Sequence, residues 1–481
     1  MGRGLDTGRE GHGVRTLIVN GTVVNANGSS EADVLVDGET IALVGRELPA
    51  RGVTADRTID ATGKYVIPGA VDVHTHFDMP MGPVVSKDTF ETGTRAAAFG
   101  GTTTIIDFAP QDRGHTLREA LDAWHAKAEG HCAIDYGFHV SVSDVNDRTL
   151  AEMDGLVAEG VTDFKVFTAY PGRMYSDDAA ILRTMQRAAE NGALVMVHAE
   201  NGIAIDVLMD ANAEGGRTAP WFHGLSRPAG LEAEAANRVI RLAEVAGSAV
   251  YIVHLSSRDA LEAVEAGRAR GAAAYAETCP QYLFLSLDDL GNGFEGAKFV
   301  CSPPLRPKDH QAALWDGLRR DSLQVVATDH CPFDFHGQKD LGRDDFRKIP
   351  NGLPTVEDRL DLLHDGGVVG GRISRERWVE IASTAPARMF GLAGRKGVVA
   401  PGADADLVVY DPARRHVISA TTHHMAVDYS CFEGRTVQGG SDVVMSRGRV
   451  IVDHGRYTGR PGDGRFLRRA PTGAALRRGA L

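Results

Sequence analysis

Cysteine is scarce in this sequence. Cys132, Cys279, Cys301, Cys331 and Cys431 are the only five in 481 residues, an odd number with no close Cys-x-x-Cys pair. That excludes a disulfide framework and a zinc ribbon, and it points to a reducing, cytoplasmic compartment. An excess of positive charge is also missing: the formal net charge is -12. A nucleic-acid binder needs a basic face to neutralise phosphates, so no nucleic-acid partner is expected. No apolar run is long enough to cross a bilayer, and residues 1–13, MGRGLDTGREGHG, lack the apolar stretch of a signal peptide. The expectation is no membrane partner and a flexible leader over 1–13. Met1-Gly2 fails as a myristoylation start because Asp6 stands where Ser or Thr is required.

What is present is ordinary globular composition, 43% hydrophobic and 24% charged, with enough length for one barrel-sized domain and a smaller one. From Thr16 to about Ile67 short β-rich runs (TLIVNGTVVN, ADVLVDG, TIALVGR) alternate with Gly and Asn turn signals and read as antiparallel sheet. The same texture returns after Gly397 in ADLVVYDP, SDVVMSRG and RVIVDHGRY. The two ends, 14–67 and 397–458, are therefore expected to pair into one β-sandwich, with an Arg-rich tail over 459–481 read as a solvated extension. Between them, over 68–396, eight apolar runs at 70–76, 102–109, 134–142, 162–170, 193–200, 249–257, 272–279 and 324–331 alternate with helical segments. Two of those segments, AAILRTMQRAAENG and LEAEAANRVIRLAEVAG, end in Gly as a helix C-terminus should. Eight such alternations predict an α/β fold, a (β/α)8 TIM-like barrel with longer insertions after the fifth and seventh strands.

Active sites of such barrels lie at the C-terminal ends of the strands. His74 and His76 close the first run, His198 the fifth and His254 the sixth, Asp329 closes the eighth, and Lys165 lies in the fourth. All six can face one mouth. His74-Thr75-His76 sets two imidazoles at i and i+2 of a strand, on one face, where both reach one cation. An isolated HxH is a weak signal, but four histidines and an aspartate at successive strand ends are not a chance scatter of 18 histidines. Imidazole nitrogen with carboxylate oxygen suits zinc, and also manganese, cobalt or iron. Lys165 is unusual there. Its bland reading is a lysine turned into a salt bridge, whereas a neutral amine in such surroundings can add carbon dioxide and become an anionic carbamate.

The motifs HTH, KVF-x-AY, VHAE, VHLSS, CSPPLR and TDHCPF, in this order, resemble those of dihydropyrimidinases and D-hydantoinases of the amidohydrolase superfamily, from about Thr16 to about Tyr457. The resemblance implies two zinc ions bridged by a carboxylated Lys165, one on His74, His76 and Asp329, the other on His198 and His254. It implies hydrolytic opening of a small cyclic amide or imide by a metal-bridging hydroxide, with Asp329 carrying the proton. Tyr170 matches a tyrosine whose hydroxyl holds the oxyanion, and Ser302 and Asn351 match residues that grip the ring amide through their backbone. Their bland readings are a core-capping Tyr and two turn residues. A homotetramer is implied as well.

Dihydroorotase and allantoinase resemble the chain in their metal ligands. Dihydroorotases carry an arginine just after the HxH to hold a substrate carboxylate, whereas here His76 is followed by Phe77-Asp78-Met79-Pro80, which favours a ring without a carboxylate. Arg306, in CSPPLR, weighs against that argument. Met81, Phe167 and Met174 suit either ordinary packing or an apolar ring substituent. Cys331 invites a thiol mechanism but is expected to be a small buried residue. A non-catalytic assembly protein is the reading from another class, and intact His74, His76, Lys165, His198, His254 and Asp329 weigh against it.

Overall fold

The computed structural model describes residues 14–291 and 293–479, so the leader expected over 1–13 lies outside the described residues. Eight parallel strands form one sheet whose order in space follows the chain: β1 (Ala70–Thr75), β2 (Thr102–Pro110), β3 (Asp135–Ser141), β4 (Asp163–Phe167), β5 (Leu194–His198), β6 (Val250–Ile252), β7 (Ala274–Thr278) and β8 (Val325–Val326). A bridge from Thr75 to His330 joins the continuation of β8 to β1, and the Thr328 hydroxyl donates to Asp72 at 2.6 Å across the same seam. This is the barrel that the alternation predicts. Its strands are covered on both faces, so they read as near-continuous apolar runs rather than as alternating ones; from β1 to β5 every residue except Pro110 is buried.

The helices end where the sequence says. That over Asp178–Asn191 starts on Asp177, whose carboxylate accepts from the Ala180 N–H, and stops at Gly192 with φ 80°; that over Ala229–Ala246 stops at Gly247 with φ 66°. Both glycines adopt the left-handed backbone that closes a helix without a Cβ clash. The expected insertions are present, three helices after β5 and a run of short turns and the helix His310–Arg319 after β7. A further one after β8, over 327–358, carries no sequence signal of its own. No helix of the described residues is long and apolar enough to cross a membrane.

The two ends of the chain interleave. Arg456–Tyr457, Arg449–Asp453, Ser441–Ser446, Leu407–Tyr410, Tyr65–Pro68, Thr22–Asn25 and Gly28–Glu31 make a seven-stranded sheet, and Thr40–Gly45, Asp33–Asp37, Arg15–Val19 and Arg57–Asp60 a four-stranded one. Ile18, Val34, Val66, Leu407 and Val443 share one core between them. The expectation of purely antiparallel pairing is corrected: Arg15–Val19 runs parallel to Arg57–Asp60, and Thr22–Asn25 parallel to Tyr65–Pro68. Side-chain alternation sets which face is buried but not the direction of the neighbour.

The Arg-rich tail is also corrected. Through 479 it packs on the barrel floor: the Tyr136 N–H donates to the Arg465 carbonyl at 3.0 Å, the Leu467 N–H returns to the Tyr136 carbonyl at 2.7 Å, and Leu467, Arg469 and Leu476 are buried. Arg469 pairs with Asp163 at the start of β4, and Arg477 donates at 2.6 Å to the Gly247 carbonyl, beyond the end of a helix. Arginine count reads as solvated surface until the acceptors facing it are known.

Candidate active site

The barrel mouth gathers the sequence-predicted donors. His74 Nε2 and His76 Nε2 each lie 3.2 Å from Asp329 Oδ1, and these three residues form a group that could hold a metal ion. Lys165 Nζ is 3.0 Å from His74 Nε2, with the amine 4.1 Å from the Phe108 ring centre. His198 Nδ1 faces His254 Nε2 at 2.9 Å. β6 and β8 are shorter than the runs 249–257 and 324–331 predict, because His254 (φ 39°) and Asp329 (φ 52°) lie past their ends in left-handed backbone. Tyr170 (φ 63°) does the same after β4. Non-glycine residues held in this region cost about 1–3 kcal/mol each and gather at functional sites.

The donor chemistry fits a cation. His74 Nδ1 is held by Glu277, His198 Nε2 lies 2.8 Å from Glu200, and His254 Nδ1 and His76 Nδ1 are buried without a partner among the described residues. Burial first, and the neighbouring amine and imidazoles second, keep His74 and His254 well below the ordinary imidazole range, so the rings are neutral. Glu277 and Glu200 each fix one ring nitrogen of His74 and of His198, so the other nitrogen of each ring turns inward, His74 Nε2 toward the Lys165 amine and His198 Nδ1 toward His254 Nε2. Neutral imidazole nitrogens gathered in this way beside a carboxylate are what a metal ion accepts.

A cavity of about 580 Å³ opens over this cluster and is lined by Tyr170, Ser302 and Asn351 among others. Asn351 Nδ2 donates to Ser302 Oγ at 3.0 Å, so the two turns touch. Burial pushes the Tyr170 hydroxyl up to about 12, which keeps it protonated and a donor. Met81, Phe167 and Met174 line the same cavity. Arg306 is committed elsewhere: it donates at 2.9 Å to Ser256 Oγ and at 2.9 Å to Glu232, both buried. Cys331 is buried and its thiol is driven well above the usual range by that burial, as a small packed cysteine should be.

The amidohydrolase family profile matches residues 65–451. The chain belongs to the amidohydrolase family. Its likeness to single members is strong: a D-hydantoinase of Streptomyces coelicolor is 62% identical over 95% of this chain and 98% of its own length. A D-hydantoinase of Geobacillus stearothermophilus is 50% identical over 96% of this chain and 98% of its own. Among solved structures, a dihydropyrimidinase from Brevibacillus agri superposes with a TM-score of 0.94 at 47% identity, covering 95% of this chain and 99% of that one.

In this amidohydrolase several residues that position the donors escape sequence reasoning. Glu277, on β7, accepts from Tyr251 Oη at 2.9 Å and from the His254 N–H at 3.2 Å while it holds His74, so one carboxylate touches both halves of the donor set. Glu200 is held by Arg227 at 2.7 Å. Asp107, on β2, accepts from Thr75 Oγ1 at 2.7 Å and from the Phe77 N–H at 2.9 Å, gripping the His74–His76 segment from its outer side. Glu200 stands inside the VHAE motif and was open to assignment; a glutamate in AAAYAETC or an aspartate in TTTIIDFA gives no such hint.

Proposed function

We propose that this amidohydrolase opens the ring of 5-substituted hydantoins and 5,6-dihydropyrimidines by hydrolysis, dihydrouracil giving N-carbamoyl-β-alanine. The observation that carries the reading is Lys165 Nζ at 3.0 Å from His74 Nε2, a buried amine set among the donors of one mouth. The names of the relatives, D-hydantoinase and dihydropyrimidinase, support the substrate class.

His74, His76 and Asp329 would hold one zinc ion and His198 and His254 a second, with Lys165 as the shared ligand; manganese, cobalt or iron suit the same donors. Burial brings the Lys165 amine down to about 8, so part of it is free base near neutral pH. Its nitrogen can then bond to the carbon of carbon dioxide and release one proton, leaving the anionic carbamate (N6-carboxylysine) that a ligand position requires. When bound, the ions would supply an activated water and polarise the scissile carbonyl. The Asp329 carboxylate takes the proton given up by the attacking water and delivers it to the departing ring nitrogen. Tyr170 Oη donates to the oxyanion that develops, a contribution of roughly 3–4 kcal/mol for one well-placed donor. The backbone groups of Ser302 and Asn351 hold the ring amide. A homotetramer in the cytoplasm belongs to the same reading, supported by the resemblance and by five buried free cysteines.

An uncharged ring is favoured over dihydroorotate because no arginine follows the HxH pair and Arg306 is spent on Glu232. Steady-state rates on dihydrouracil, dihydrothymine and 5-substituted hydantoins, with dihydroorotate and allantoin as controls, test this. Dihydrouracil or a hydantoin should be opened far faster, and equal or greater turnover of dihydroorotate would overturn the assignment. Bound metal per chain separates an enzyme from a non-catalytic assembly protein.

A further inference from the structure

The insertion after β8 buries Lys339 completely, 0% exposed, yet gives its amine no acid to pair with among the described residues. The titratable groups that bear on it are the thiols of Cys301, Cys331 and Cys431 and the buried His223 ring. Its donors go instead to two backbone carbonyls, that of Pro350 at 3.0 Å and that of Val300 at 3.3 Å. Lysine is almost never fully buried unless paired, because an unpaired charge loses its hydration for nothing in return. Filling the volume alone would need no nitrogen.

The two carbonyls are not arbitrary. Pro350 directly precedes Asn351, and Val300 stands two residues before Ser302. The same two stretches are joined by the Gly352 N–H, which donates to the Val300 carbonyl at 3.0 Å, and by Asn351 Nδ2 on Ser302 Oγ at 3.0 Å. Gly352 sits at φ 152°, and a Cβ there would stand 2.1 Å from the Cys331 carbonyl oxygen, so this turn is packed against the segment that follows Asp329. Burial lowers the Lys339 amine to about 7, so a neutral form with two N–H groups for two carbonyls is populated near neutral pH.

We propose that Lys339 is a positioning residue whose amine ties the backbone before Asn351 to the backbone before Ser302, and so sets the spacing of the two turns that face the substrate ring. This rests on the reading that those turns hold the ring amide. The predicted consequence falls on substrate binding rather than on the chemical step, since Lys339 touches none of the donors at the mouth.

Lys339→Met keeps the length of the stem and removes every donor. With fold and metal content unchanged, its KM for dihydrouracil or a hydantoin should rise about tenfold while kcat stays within about threefold, the signature of lost binding shared by ground and transition states. Asn351→Ala, measured beside it, cuts the side-chain link between the same turns. A raised KM in Asn351→Ala with an unchanged KM in Lys339→Met leaves the turns in their role and overturns that of Lys339. Unchanged KM in both variants overturns the proposal while leaving the backbone role of the turns intact, because Asn351→Ala keeps their backbone groups. A parallel fall of kcat and metal content in Lys339→Met would mark a merely structural residue and also overturn it. If the methionine variant does not fold, Lys339→Gln, whose amide offers two N–H groups on a shorter stem, is read instead: raised KM at preserved kcat supports the proposal, and lost kcat at unaltered KM refutes it.

Discussion

Both ends of the barrel bury polar groups, and they arrange them in different ways. At the floor, opposite charges meet: Arg469 on Asp163 at the start of β4, with the His139 ring 3.2 Å from the same carboxylate, and Lys396 at 2.7 Å from both Asp135, at the start of β3, and Asp406. At the mouth, nitrogens gather on one space: His198 faces His254 at 2.9 Å and the Lys165 amine faces His74 at 3.0 Å beside Asp329, while the carboxylates of Glu277 and Glu200 stand behind the imidazoles. A floor of paired charges is complete as it stands and ties the tail, the sandwich and the barrel together. A mouth where imidazoles, an amine and a carboxylate converge on strained backbone is a donor set that could hold a cation. Burial alone does not distinguish scaffold from site; whether the buried groups are paired off or converge on one shared space does.

The strongest way to break this contrast is at Lys165. If its amine is the shared anionic ligand, Lys165→Ala removes a ligand from both ions at once, and metal content and turnover should vanish together while the barrel still folds. A small acid such as acetate or propionate, added with zinc, should restore part of the activity, whereas a purely electrostatic lysine would instead be replaced by an added amine. An alanine variant that keeps two metals and near-normal turnover rules the bridge out.

Tyr170→Phe comes next. If the Tyr170 hydroxyl holds the oxyanion, the substitution removes that donor and leaves the metal content unchanged, so kcat should drop by roughly 10²–10³. A phenylalanine variant with full kcat would return Tyr170 to the role of a core-capping residue.

The floor answers differently. Arg469→Ala leaves Asp163 buried without its cation and should cost about 3–5 kcal/mol of stability, read from denaturant unfolding, with kcat per folded, metal-loaded chain unchanged. Loss of turnover at preserved stability would dissolve the distinction between the two ends. The smallest effect is expected at Cys331, which lines the cavity but is a buried, protonated thiol. Cys331→Ser should retain most activity; an inactive serine variant with full metal content would expose a role for sulfur.

Much of the site was legible because local periodicity places it. The i, i+2 spacing of His74 and His76 on a strand, the apolar runs that end in His198 and Asp329, and the helix-terminal Gly192 and Gly247 are all consequences of geometry over a few residues. His254 and Asp329 were found at the right ends although their strands stop early, because the run of apolar residues continues past the last ladder hydrogen bond. The partners that orient these groups were not legible. Glu277 lies 203 residues from the His74 ring it holds, and Arg469 lies 306 residues from Asp163.

Local sequence is enough for the alternation of strand and helix, the chemical types of the donors and the end of the barrel at which they gather, since each follows from short-range periodicity and from residue chemistry. Tertiary structure alone decided which carboxylate orients which imidazole, that Arg306 is spent on Glu232, that the tail closes the floor, and that the Lys339 amine joins Val300 to Pro350. The reason is physical: a side chain's donors and acceptors are written in its type, but whether they meet an opposite charge, a carbonyl or another imidazole depends on segments brought together only by closing the barrel.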